Sequence, residues 1–127
     1  MAVVLITGCS SGFGLEAALA FAGRGDTVCA TMRNLGKADG LRKRAADDGV
    51  EVDLEELDVT DDASVAKGIA AVVERHGPID VLVNNAGVGY GGPVETMPLE
   101  AAQALMDTNF WGAVRTIRAV LPSMRDR

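Results

Sequence analysis

Between Ile6 and Leu15 the chain reads Thr7-Gly8-Cys9-Ser10-Ser11-Gly12-Phe13-Gly14, three glycines set between two apolar segments of different period. Before them, Ala2 to Thr7 is a continuous apolar, β-branched run, the pattern of a strand covered on both faces. After them, from Gly12 to about Arg24, Phe13, Ala17 and Phe21 recur one turn apart, which predicts a helix buried along that stripe. Glycines at such a junction let the backbone turn tightly and let a bulky anion approach. The unpaired N–H groups and dipole at the helix start attract that anion, so the junction reads as a phosphate-binding turn.

The same alternation continues downstream. Thr27 to Thr31 predicts a second strand, and Ala38 to Asp48 a charged surface helix closed by Gly49. Val50, Val52 and Leu54 alternate with Glu51, Asp53 and Glu55, as a half-exposed third strand would. Thr60 is positioned to cap a helix carrying Val65, Ile69 and Val72 on one face and stopped by Gly77-Pro78. Ile79 to Val83 predicts a fourth strand, followed by a glycine-rich loop from Asn84 to Pro93. A long amphipathic helix is then expected from about Leu99 to Arg125, burying Met106, Phe110, Ala113, Ile117 and Leu121. Four strand–helix alternations with short links imply an α/β fold, a parallel sheet with helices on both faces. The neighbour order expected of a mononucleotide-binding half is 3-2-1-4, in a single domain covering residues 1–127.

Charge narrows the partners. The formal net charge is −6, which argues against nucleic acid or an anionic membrane as a general target. Nine acids between Asp47 and Asp62 have no Lys or Arg among them, whereas Arg33, Lys37, Arg42, Lys43 and Arg44 crowd one stretch. That basic stretch suits a small anionic ligand or simply a solvated helix face. Cys9 and Cys29 lie in apolar or glycine-rich surroundings, as buried thiols do, and a reducing cytoplasm is the expected setting. The apolar start has no preceding basic residue, unlike a signal peptide. No stretch approaches the ~20 apolar residues of a membrane span, and no partnered histidines or cysteines suggest a metal.

The Gly-x3-Gly-x-Gly spacing resembles that of the short-chain dehydrogenase/reductase family, whose fold is Rossmann-type. Further segments match in order: Asp58-Val59 after the third strand, Asn84-Asn85-Ala86-Gly87 after the fourth, and Asn109 in the long helix. The wording of Ala30-Thr31-Met32-Arg33-Asn34 looks most like the branch that includes 17β-hydroxysteroid and retinol dehydrogenases. The resemblance implies a dinucleotide held by Gly8, Ser10, Ser11, Gly12, Phe13, Gly14, Asp58, Val59, Asn85, Ala86 and Gly87. It also implies a proton-relay position for Asn109, although a purely structural role is equally open.

Cofactor choice turns on the residue after the second strand. A carboxylate about 20 residues past the glycines would bond the ribose 2′-hydroxyl of NAD, whereas an arginine pairs with the 2′-phosphate of NADP. Arg33 stands there with no acid beside it, so NADP(H) is expected over NAD(H) unless Arg33 merely faces solvent. By resemblance, Ser10 adds a bond to that phosphate.

The family's Tyr-x-x-x-Lys pair and its Ser are not found. The only tyrosine, Tyr90, is followed four residues on by Val94, and the chain is expected to stop after the fourth βα unit of a longer enzyme. Two functions remain open: an NADP(H)-binding part of an oxidoreductase that interconverts an alcohol and a carbonyl, or a nucleotide-binding module or fragment without catalysis. An acid catalyst is worth about 10²–10⁴ in rate, so binding without turnover is expected of these residues alone. His76 and Trp111 are expected to be structural, with Trp111 one turn before Arg115 on the face away from the core, where stacking or a subunit contact accounts for it. An uncovered fourth strand and exposed helix surface predict a homo-oligomer, most simply a dimer.

Overall fold

The computed structural model describes all of residues 1–127. Strands β1 (Val3–Ile6), β2 (Thr27–Met32), β3 (Asp53–Glu56) and β4 (Val81–Val83) form one parallel sheet in the order β3-β2-β1-β4. Val4 pairs with Val28 on one side and Val81 on the other, so β1 is central and β4 is an edge. The expected order and parallel direction are those observed.

Because side chains alternate across a strand, the sheet buries two separate cores. Val4, Ile6, Val28, Ala30 and Met32 face helices α1 (Gly12–Gly23) and α2 (Asp39–Asp48), meeting Leu15, Ala18, Leu19, Leu41 and Ala45. Leu5 and Cys29 point the other way, to α3 (Asp62–His76) and α5 (Gly112–Arg125), and pack with Val65, Ile69, Val72 and Val120. Burial pushes both cysteine thiols, Cys9 and Cys29, up to about 12, which leaves them neutral and inert in the interior. No helix is long and apolar enough to cross a membrane.

Several local expectations are corrected. In α1 the fully buried side is Gly14, Leu15, Ala18 and Leu19; of the expected stripe, Ala17 and Phe21 are partly buried against the same core, while Phe13 is 88% exposed. Alanine on every side of this helix leaves its polarity nearly uniform, so either stripe satisfied the pattern. Strand β3 begins at Asp53 rather than Val50, where its pairing with Cys29 starts. The cap of α3 is Asp61, not Thr60: its carboxylate accepts from the Ala63 and Ser64 amides at 2.9 and 3.2 Å.

The long C-terminal helix is interrupted. Helix α4 (Leu99–Met106) passes through a π turn (Asp107–Trp111) into α5. Its inner face consists of Gly112, Thr116 and Val120, with Gly112 set so close to Val59 that an added Cβ would lie 2.7 Å from Val59 Cγ2. Met106, Phe110, Ile117 and Leu121, expected in the core, are exposed instead. Trp111 packs edge-on against Phe110, with ring centroids 5.0 Å apart. Arg115 donates to the Val59 carbonyl at 3.0 Å and pairs with Asp107.

Candidate functional site

At the C-terminal ends of β1, β2, β3 and β4 the loops converge on one cleft, where open parallel sheets bind ligands. Its walls include Gly8, Ser10, Ser11, Arg33, Asp58, Val59, Asn85, Ala86 and Gly87. Nine residues that the sequence singled out therefore stand around one space. Gly12, Phe13 and Gly14 form the first turn of α1 beside it.

The base of the cleft is a clamp between the loops after β1 and β4. Thr7, buried at the end of β1, accepts through its hydroxyl oxygen from the amides of Asn85 (3.1 Å) and Ala86 (3.0 Å). In return the Asn85 side-chain amide donates to the carbonyls of Thr7 (3.1 Å) and Gly8 (3.0 Å). Gly8 has φ +71°, and a Cβ there would sit 2.7 Å from Ala86 Cα. A Cβ on Gly14 would overlap the Gly8 carbonyl oxygen and lie 2.5 Å from Asn85 Nδ2. Both positions are closed to any side chain.

Gly12 is different, with φ +60° and open space where a side chain would project. Ser11, the residue before α1, is extended, and its side chain makes no capping bond; the first turn of α1 contains no acid. The helix therefore presents bare N–H groups and its positive end to the cleft. A tight turn, an uncapped helix start and a space free of side chains together fit a dinucleotide pyrophosphate.

On the far wall, the Asp58 carboxylate accepts from the Thr60 amide at 2.9 Å and the Thr60 hydroxyl at 2.7 Å. Partial burial raises its pKa, but the two Thr60 bonds and the nearby Arg33 and Arg115 outweigh this and hold it below the ordinary carboxylate range. Arg33 follows β2 and is exposed on the rim with no ion-pair partner.

Asn109 lies in the π turn and bonds the loop after β4 from behind, donating to the Val88 carbonyl at 2.7 Å and accepting from the Val88 amide at 2.8 Å. An amide that satisfies a loop's backbone in both directions fixes that loop. A π turn widens the helix locally and is a frequent mark of function. Arg115 links the walls further, bridging Val59, Asp107 and Asp62.

Met32, Leu57, Thr60, Val88 and Thr108 also line the cleft and were not anticipated. Thr7 is assigned no function from the sequence, though a hydroxyl ending an otherwise apolar strand is the available signal. Tyr90 is half exposed and does not line the cleft. His76 bonds Asp53 at 2.7 Å, on α3 and β3 and away from the cleft. No group of three His, Cys, Asp or Glu side chains is placed to hold a metal ion.

The comparisons agree with this geometry. The family model described as short chain dehydrogenase matches residues 2–127. Retinol dehydrogenase 8 from Bos taurus is 49% identical over 98% of the chain, and estradiol 17-beta-dehydrogenase 1 from Rattus norvegicus is 44% identical over 98%. The crystal structure of gluconate 5-dehydrogenase from Burkholderia cenocepacia, in complex with NADP and tartrate, superposes with a TM-score of 0.88 at 35% identity. It is matched over 99% of this chain and 49% of its own. The chain spans about 40% of the length of the curated relatives it matches. With the family pattern running nearly end to end and its glycine cradle built in three dimensions, the chain belongs to the short-chain dehydrogenase family.

Proposed function

We propose that residues 1–127 are the NADP(H)-binding part of an oxidoreductase that interconverts an alcohol and a carbonyl, and that they bind NADP(H) in preference to NAD(H). The chemistry that a nicotinamide dinucleotide supplies when bound is hydride transfer. The observation that carries the reading is the pairing of an uncapped α1 start, beside the Gly8 to Gly14 turn, with Arg33 on the same cleft.

Each residue's part follows from its place. The amides around Ser11, Gly12, Phe13 and Gly14 receive the pyrophosphate, and Ser10 and Arg33 receive the 2′-phosphate. Asp58 and Val59 border the adenine, and Asn85, Ala86 and Gly87 form the wall toward the nicotinamide. Asn109 acts as a positioning residue, holding the β4 loop through Val88. No residue from 1 to 127 is assigned the proton transfer, because Tyr90 is followed at the fourth position by Val94. These residues alone should bind without turnover.

Fluorescence titration with NADPH and NADH tests this. The chain should bind NADPH at least about tenfold more tightly, and Arg33→Ala should remove most of that difference by deleting a charge-assisted contact. Equal affinity of the unmodified chain for both cofactors contradicts the reading.

Self-association belongs to the same proposal. Leu99, Phe110, Trp111, Ile117 and Leu121 are exposed along α4, the π turn and α5, and β4 is an open sheet edge. Light scattering should report a dimer; a monodisperse monomer contradicts it.

A further inference from the structure

The cleft does not end at Arg33. Ser10, Met32 and Arg33 also border a second, more polar recess whose remaining walls are Asn34 and Lys37. Local folding brings Lys37 there. The Asn34 side-chain oxygen accepts from the Gly36 amide at 2.9 Å, and the Lys37 amide donates to the Asn34 carbonyl at 3.0 Å. The single 3-10 turn Leu35–Lys37 thereby folds the chain back after β2 before α2 begins. Lys37 stays beside the end of β2.

The recess gathers positive charge on a chain whose net charge is −6. Arg24, Lys43, Arg44, Arg75, Arg115, Arg125 and Arg127 have ion-pair partners, whereas Arg33, Lys37, Arg42, Lys67 and Arg118 have none. Of those five, Arg33 and Lys37 share one recess whose lining holds no acid. Two like charges held near each other repel unless an anion joins them. A phosphate monoester carries roughly −1.5 to −2 charge near pH 7, more than one guanidinium neutralises.

We propose that Lys37 is a second specificity-determining residue, whose ammonium acts with Arg33 and Ser10 on the same 2′-phosphate. This rests on the NADP(H) reading. The two cations divide the task by chemistry: a guanidinium supplies a planar two-bond contact, and an ammonium on a flexible stem supplies a point charge that follows the phosphate.

The test is titration of the full chain at low salt with NADPH, NADH and 2′,5′-ADP, for the unmodified protein, Lys37→Met, Lys37→Arg and Lys67→Met. Lys67 is an exposed lysine on α3 outside the recess and reports the effect of net charge alone. Lys37→Met should weaken NADPH and 2′,5′-ADP about tenfold and NADH less than about twofold. Lys37→Arg should restore most of the loss, Lys67→Met should change little, and about 0.5 M salt should narrow the Lys37→Met effect. A preference for NADPH that survives Lys37→Met undiminished overturns the role of Lys37 and leaves the Arg33 reading standing. Equal weakening of NADPH and NADH overturns it as well. An unmodified chain that does not distinguish the two cofactors overturns the NADP(H) reading, and this proposal with it.

Discussion

Helix α3 starts with Asp61 accepting from two backbone amides and Asp62 in its first turn. Helix α1 starts with neither, although Ser11, a residue type well suited to capping, occupies the same position. Both helices pack on the sheet, one on each face. What separates them is the use of their N-termini. α3 satisfies its own orphan donors, while α1 leaves them bare at the end of a cleft. A cap contributes about 1 kcal/mol, so α1 forgoes stability that a bound anion restores.

The largest way to break this contrast is at Gly14, where a methyl group would overlap the Gly8 carbonyl and crowd the Asn85 amide. Gly14→Ala should abolish measurable NADPH binding and lower stability by about 1–3 kcal/mol, read by titration and urea unfolding. A smaller and sharper test exchanges the caps. Asp61→Ala should cost about 1 kcal/mol of unfolding free energy and leave NADPH affinity within about twofold. Ser11→Ala should do the reverse, leaving stability within about 0.5 kcal/mol and weakening NADPH several-fold. If the two variants behave alike, the contrast between the helix starts is wrong.

The sheet was legible because β1 and β2 are apolar on both faces and βα repetition permits few arrangements. The glycine turn was legible because its spacing is rigid. What misled was amphipathicity. In α1, small alanines surround the axis and conceal which side is buried, so the stripe points Phe13 inward although it is exposed. In α5, close approach to Val59 selects Gly112 and Thr116 for the inner face. The larger apolar residues lie elsewhere, and a hydrophobic stripe then marks a surface rather than the core. The residue type of Thr60 suits a cap, but its hydroxyl and amide serve Asp58. The clamp through Thr7 and the bridge through Arg115 join residues far apart in the chain. Local pattern carries no trace of such pairings.

The contact between Gly8 and Ala86 has a further consequence. Where two loops meet with no room for a Cβ, the floor beneath the ligand is made of main chain, and almost any substitution there destroys it without altering preference. On the proposed reading, selectivity is carried by the rim, where Arg33 and Lys37 are exposed. One or two substitutions at the rim are then expected to change which nucleotide is preferred while the foundation stays the same.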